Sequence, residues 1–181
     1  MLENSTSTIV TECSDKSKIA VQRIFMIIVD RQKLTEQRAQ WKKEGKRVVF
    51  TNGCYDILHP GHIRLLETAR SLGDVLILAL NTDASVQRIK GPLRPMLSQD
   101  DRAQLADGLA AVDAVTFFDE ETPRELIAEV LPDVLVKGAD WAHFIAGREE
   151  VEAAGGEVRA IPLEPGYSTT NLVDLVLARS L

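Results

Sequence analysis

The sequence predicts an α/β protein: a doubly wound, mostly parallel sheet with helices on both faces. Three observations lead there. Short apolar runs alternate with segments of helical periodicity from Asp30 onward. One run, Val75-Leu76-Ile77-Leu78-Ala79-Leu80, is apolar without interruption, as expected of a parallel strand covered on both faces. Capping residues punctuate the helical segments, with Asp30, Ser98 and Thr122-Pro123 as starts and Gly45 and Gly155-Gly156 as stops.

In chain order, Asp30 caps a helix over residues 30–44, with Leu34 and Trp41 on one face. Residues 47–51 form the first strand, and a helix follows over 61–71. The apolar run at 75–80 is the second strand, 83–88 a short helical turn, and 89–97 a loop containing glycine and proline. Ser98 caps a helix over 99–110. The alternation then repeats. Residues 114–118, 133–136 and 157–161 are strands, and helices are expected through Val130, over 148–154 and over 169–179. There is no internal repeat or low-complexity tract.

A chain of 181 residues suits one domain over 30–181, preceded by an N-terminal extension over 1–29. The net charge of −6 argues against a general nucleic-acid partner, which needs a basic face. It permits a phosphorylated ligand, for which a local cluster suffices. Arg88, Lys90, Arg94 and Arg102 are close enough in sequence to form one, and a solvated charged surface is the plain alternative. Two cysteines, Cys13 and Cys54, make a disulfide framework improbable and fit a reducing cytoplasm. Cys54 as a nucleophile has no neighbouring base in its favour. Three histidines and two separated cysteines give no metal-ligand spacing, so no protein-bound metal is expected. The apolar run at 24–29 is too short to cross a bilayer and follows Glu3, Glu12 and Asp15, unlike a signal peptide. Residues 1–29 are therefore expected to be a poorly ordered or partner-docked extension, with no membrane partner.

The chemistry concentrates where the first strand ends. Val48-Val49-Phe50-Thr51 leads through Asn52-Gly53-Cys54-Tyr55-Asp56-Ile57-Leu58 to His59-Pro60-Gly61-His62, which holds two of the three histidines. Strand, glycine-containing turn and helix follow in that order, with both imidazoles at the helix entrance. A helix N-terminus offers unbonded N–H groups and a positive dipole end to an anion. Imidazoles there add donors for charge growing on phosphorus. The plain alternative is one capping and one surface histidine.

These residues resemble the signature of the nucleotidyltransferases with an HxGH motif, a Rossmann-like family. The stretch from Phe50 to His62 is most similar to the adenylyltransferases of bacterial heptose metabolism. Asn81-Thr82-Asp83-Ala84-Ser85-Val86, Asp133-Val134-Leu135-Val136-Lys137-Gly138 and Pro165-Gly166-Tyr167-Ser168-Thr169-Thr170 agree with it, and the similarity runs from about Leu34 to the C-terminus. The resemblance implies transfer of AMP from ATP to a sugar 1-phosphate, with D-glycero-β-D-manno-heptose 1-phosphate as acceptor and Mg²⁺ bridging triphosphate oxygens. His59 and His62 would hold the non-bridging oxygens, and Lys90 would contact both phosphate-bearing substrates, unless it is a solvent-facing loop lysine.

Thr51, Asn52, Gly53 and Cys54 would line the turn where backbone N–H groups approach phosphate. Asp56 would orient the loop or a histidine, and Arg102 would support. Lys137, Gly138 and Asp140 would form the nucleotide-binding segment, with Trp141 equally readable as a packed hydrophobic residue. Tyr167, Ser168, Thr169 and Thr170 would meet the triphosphate tail, a role compatible with a simple helix cap. The resemblance further implies a homodimer, with a separate sugar kinase supplying the substrate. Glycerol-3-phosphate cytidylyltransferases carry an arginine shortly before the last motif, where this chain has Leu163-Glu164-Pro165. A cytidylyltransferase for a polyol or sugar phosphate stays open as an alternative, as does a nucleotide-sensing regulator without turnover.

Overall fold

The computed structural model describes residues 26–141 and 144–179. Five strands, β1 (Val48–Gly53), β2 (Val75–Asn81), β3 (Ala114–Phe118), β4 (Val134–Gly138) and β5 (Glu157–Ile161), form one sheet in the order β3-β2-β1-β4-β5. Every pairing in it is parallel. The helices are α1 (Arg31–Lys43), α2 (Pro60–Arg70), α3 (Asp83–Lys90), α4 (Gln99–Asp107), α5 (Arg124–Val130), α6 (Arg148–Ala153) and α7 (Thr169–Arg179). The chain steps outward from β1 through β2 to β3, then returns to place β4 on the other side of β1. That reversal opens a crevice between the carboxyl ends of β1 and β4, the place where open α/β sheets bind ligands.

Alternation along the strands sorts the apolar residues onto two faces. Val48 and Phe50 of β1 pack with Leu34 and Trp41 of α1 and with Leu126, Ile127 and Val130 of α5. Val49, between them, packs on the other face with Leu66 and Ala69 of α2 and Ala103 and Ala106 of α4. Phe50, Leu66, Ile77, Leu78 and Leu135 are fully buried. Each such side chain contributes about 1.5–3 kcal/mol of transfer free energy. Asp30 caps α1 by accepting the N–H groups of Gln32 and Lys33, and Gly45 takes the positive φ of 71° that follows the helix.

The amino ends of the strands are tied by three aspartates. Asp74, just before β2, accepts the N–H of Arg47 at 2.8 Å. Asp133, just before β4, accepts the N–H of Val48 at 2.7 Å and pairs with Arg38 at 3.0 Å. Asp113, just before β3, accepts the N–H of Leu76 at 2.8 Å.

The extension expected over 1–29 overlaps the described residues only at its end. There, Met26–Val29 lies along the edge of the sheet. The Ile28 N–H donates to the Val115 carbonyl at 2.8 Å, and the Val115 N–H donates to the Met26 carbonyl at 2.9 Å. The Met26 N–H reaches Asp107 at 3.0 Å. The segment thus covers the open edge of β3, whose backbone groups would otherwise stand unpaired. Residues 1–25 lie outside the described set.

Candidate active site

β1 runs two residues further than its apolar pattern suggests. Asn52 pairs with Ala79 and Gly53 with Leu80, so Thr51, Asn52 and Gly53 are strand residues rather than turn residues. The Thr51 hydroxyl is buried and donates to the Val136 carbonyl at 3.0 Å, clipping β1 to β4 below the crevice. The turn starts at Cys54. Tyr55 then takes a left-handed backbone with φ 45°, a conformation that costs a non-glycine residue about 1–3 kcal/mol. Its ring folds back over Gly53, where a Cβ would come within 2.9 Å of the Tyr55 Cε2. The same ring lies 4.7 Å from that of His62. Burial pushes the phenol well above its ordinary pKa, with the Thr51 hydroxyl opposing.

His59 is the cap of α2. Its backbone is extended, its Nδ1 accepts the His62 N–H at 3.3 Å, and Pro60 occupies the first helical position. With Nδ1 accepting, the neutral ring carries its proton on Nε2, which is left as the donor. The His62 ring stacks on it at 3.7 Å between centroids and 14° between planes. Burial lowers the pKa of His59. Burial first, and then the neighbouring His59, bring that of His62 down to about 4. The His62 Nδ1 is buried without a well-formed hydrogen bond, although the Ile57 carbonyl is near enough to oppose that shift. At neutral pH both rings are therefore uncharged, able to donate without repelling one another.

The last helix converges on the same place. Ser168 caps α7 by accepting the Asn171 N–H at 3.0 Å, and the Thr169 hydroxyl donates to the Ile57 carbonyl at 3.4 Å. The Tyr167 ring lies 6.1 Å from that of His59 at 20°. Gly61 makes this approach possible, because a Cβ there would stand 3.1 Å from the Tyr167 Cβ. Thr170 is exposed beside it. Two helix N-termini thus face one spot.

Of the four sequence-local cations, three are taken up by partners within the protein, which corrects the expectation of a free cluster. The Arg102 guanidinium, 1% exposed, donates to the carbonyls of Cys54 at 2.7 Å and Asn81 at 2.9 Å and to Asp83 at 2.7 Å. It binds the exits of β1 and β2 together, a structural role. Arg94 pairs with Asp56 at 2.5 Å, and Arg88 pairs with Asp119 at 3.1 Å. Lys90, exposed like Arg88, is the one of the four without an ion pair among the described residues, and it stands at the end of α3 rather than in the loop expected from 89 onward. Its charge acts on the Cys54 thiol.

Asp56, 2% exposed, accepts the N–H groups of Met96 at 2.7 Å and Leu97 at 3.1 Å besides Arg94. It anchors the loop after α3 and touches neither histidine. The Cys54 thiol donates to Asn81 Oδ1 at 3.7 Å, and burial raises its pKa, the opposite of an activated nucleophile.

Across the crevice, the Lys137 ammonium donates to the Asn52 carbonyl at 3.1 Å. Burial lowers its pKa to about 8, with Asp140 acting the other way. Gly138 is required by its neighbours: a Cβ there would stand 2.6 Å from an Asp140 carboxylate oxygen and 2.8 Å from Leu163. Asp140 lies in a short 3₁₀ turn, Ala139–Trp141, and the side chain of Trp141 is outside the described set.

The structure thus brings Asn52, Gly53, Cys54, His59, His62, Lys137, Gly138 and Ser168 to one end of the sheet. Two residues at this end carry no assignment from sequence. Tyr55 packs its ring against that of His62, and Asn81 joins the Cys54 thiol to Ser85 Oγ, which it reaches at 3.0 Å. A polar residue closing the apolar run of β2 was the available signal for Asn81.

A parallel sheet with a stacked histidine pair at a helix entrance beside its switch point defines an α/β domain of the HxGH kind. The chain belongs to the cytidylyltransferase-like family, whose model matches residues 50–174. It is 58% identical over 139 residues to the bifunctional protein HldE of Chromohalobacter salexigens, covering 76% of this chain and 29% of that protein. The HldE protein of Yersinia pestis is 50% identical over 150 residues, covering 82% of this chain and 32% of the relative. The chain thus spans about a third of the length of these relatives. Among solved structures, the lipopolysaccharide core biosynthesis protein of Thermoplasma volcanium superposes with a TM-score of 0.54 at 28% identity, over 66% of this chain and 98% of that one. The pantoate-β-alanine ligase of Francisella tularensis shares the fold, with a TM-score of 0.60 at 15% identity over 87% of this chain and 77% of the other.

Proposed function

We propose that this domain transfers AMP from ATP to a sugar 1-phosphate, with D-glycero-β-D-manno-heptose 1-phosphate as acceptor. The acceptor's phosphate oxygen attacks the α-phosphorus, the bond to the β-phosphate oxygen breaks, and pyrophosphate leaves with that electron pair. The acceptor is already an anion, so no base is needed, which suits a site whose histidines are neutral. The observation that carries the reading is the stacked pair His59 and His62 at the entrance of α2, beside the switch point. Their N–H groups are placed to bond non-bridging oxygens as charge accumulates there. Lys90 reaches over the turn from α3 and neutralises charge on both phosphate-bearing partners, while Ser168 and Thr169 offer α7 to the triphosphate tail.

The heptose assignment is supported by similarity to the HldE proteins and to a protein of lipopolysaccharide core biosynthesis. The base assignment is supported by Glu164, which pairs with Arg64 near the place where glycerol-3-phosphate cytidylyltransferases carry an arginine.

No group of three or more ligating side chains suited to a metal occurs among the described residues. Mg²⁺ belongs to the proposal as a companion of the triphosphate, where it would neutralise the leaving pyrophosphate. No helix among the described residues is long and apolar enough to cross a membrane. A sugar kinase supplies the acceptor, and a homodimer belongs to the same proposal.

The test is a panel of triphosphates against sugar phosphates, followed by pyrophosphate release. ATP with heptose 1-phosphate should be the fastest pair. Faster turnover of CTP with glycerol 3-phosphate would overturn the substrate assignment, and no release from any pair would favour a regulator.

A further inference from the structure

We propose that Lys137 is a phosphate-positioning cation, set on the phosphate side of the crevice rather than on its base side. The inference rests on the nucleotidyl-transfer reading above and deepens it. By sequence, Lys137 belongs with Gly138 and Asp140, a segment that the resemblance assigns to the nucleotide. The geometry turns its side chain towards β1. Val136 pairs with Thr51, so Lys137 stands one step further along β4, where the two strands part. From there its side chain crosses to β1, and Nζ donates to the Asn52 carbonyl at 3.1 Å.

That carbonyl belongs to the strand end that opens into the Cys54–His59 turn. The Asn52 side chain, 8% exposed, has a buried Oδ1 without a hydrogen-bond partner among the described residues. The Lys137 charge also acts on the Cys54 thiol, as do those of Lys90 and Arg102. Asp140 is the acidic group that acts on the ammonium from the base side.

An ammonium in this position is largely desolvated, which disfavours its charge. An anion arriving at the turn would restore the favourable field that water no longer supplies. Lys137 and Lys90 would then hold a polyphosphate from two elements, with the neutral histidines completing the third side.

Calorimetric titration of three ligands separates the roles: ATP, inorganic tripolyphosphate as a base-free probe, and adenosine as a phosphate-free one. Lys137→Met should weaken ATP and tripolyphosphate binding by about 10–100-fold, the usual range for losing one charge-assisted hydrogen bond, and leave adenosine binding unchanged. Lys137→Gln keeps a donor for the Asn52 carbonyl without the charge. It should lose tripolyphosphate as severely, and it serves if the Met variant fails to fold. Equal loss of adenosine would return Lys137 to base reading. Unchanged tripolyphosphate binding in a folded variant would leave only a clip between strands, and either result overturns the proposal. A wild-type protein that binds tripolyphosphate without preferring ATP would sink the ATP assignment while leaving the role of Lys137 intact. Wild-type protein that binds no polyphosphate would sink both.

Discussion

At the amino ends of the strands, Asp74, Asp113 and Asp133 each accept a backbone N–H from the neighbouring strand's start, and Arg38 closes on Asp133. At the carboxyl ends, Asn52 and His62 keep buried polar atoms without a well-formed partner, Lys90 is exposed, and Lys137 and His62 are held away from their ordinary pKa values. The amino end matches its polar groups with each other, one buried nitrogen of Arg38 apart, whereas the carboxyl end leaves buried atoms of two residues beside the crevice unmatched. An unmatched buried acceptor or donor costs about 1–3 kcal/mol, and such groups persist where a ligand completes them. Stability and chemistry should therefore respond to substitution at opposite ends.

The largest effects belong to the carboxyl end. His59→Ala and His62→Ala should each lower kcat by about 10²–10³-fold, near 3–4 kcal/mol, with ATP affinity changed much less. Lys90→Ala should lower kcat by about 10²-fold with an unchanged melting temperature, and arginine should restore little, because a planar fork does not replace a compact ammonium. The double histidine variant should lose less than the product of the single effects, since both rings serve one charge centre. Steady-state kinetics and thermal melts on the same preparations decide. Single variants that fold and turn over normally would return the pair to capping and packing.

Asp133→Ala tests the amino end. It strands the N–H of Val48 and leaves the buried Arg38 without its carboxylate, so unfolding free energy should fall by about 2–4 kcal/mol. Turnover per folded molecule should hold. A large kcat loss without a change in denaturant midpoint would break the division between the two ends.

The histidine pair also predicts how stability depends on pH. In the folded protein His62 titrates near 4, against about 6.5 when unfolded. The unfolded chain thus binds the proton first, and stability is complete above about pH 6.5 and lost as pH falls towards 4. Between pH 7 and 5 the loss should be about 1–2 kcal/mol, and His62→Asn should remove it. Urea melts at several pH values would show whether the slope follows this residue.

The smallest effect concerns the β3 edge. A chain beginning at Asp30 should keep its turnover, but it loses the two backbone hydrogen bonds to Val115 and the Met26–Asp107 contact. At about 0.5–1.5 kcal/mol for each bond, the melting temperature should drop by several degrees. An unchanged melting curve would show that the edge needs no cover.

Sequence alone determined the elements and the place of the chemistry. Strands and helices alternate with patterns strong enough to read, because burial on both faces demands continuous apolar runs and helix ends demand caps. Asp30, Gly45, Ser98 and the closing helix from Thr169 stand where those rules put them. The histidine pair was legible because two rare residues flank a Pro-Gly step directly after a strand. Which polar groups pair with which was not legible, since that depends on distances across the sheet rather than along the chain. Arg102 and Lys90 look alike in sequence, yet one is enclosed by four acceptors and the other is exposed. Lys137 reads with its neighbours Gly138 and Asp140 until β4 is laid beside β1, when its side chain turns to Asn52. Only the tertiary structure decided such partners, because a charge's role is set by what desolvates and opposes it, and those groups come from other strands.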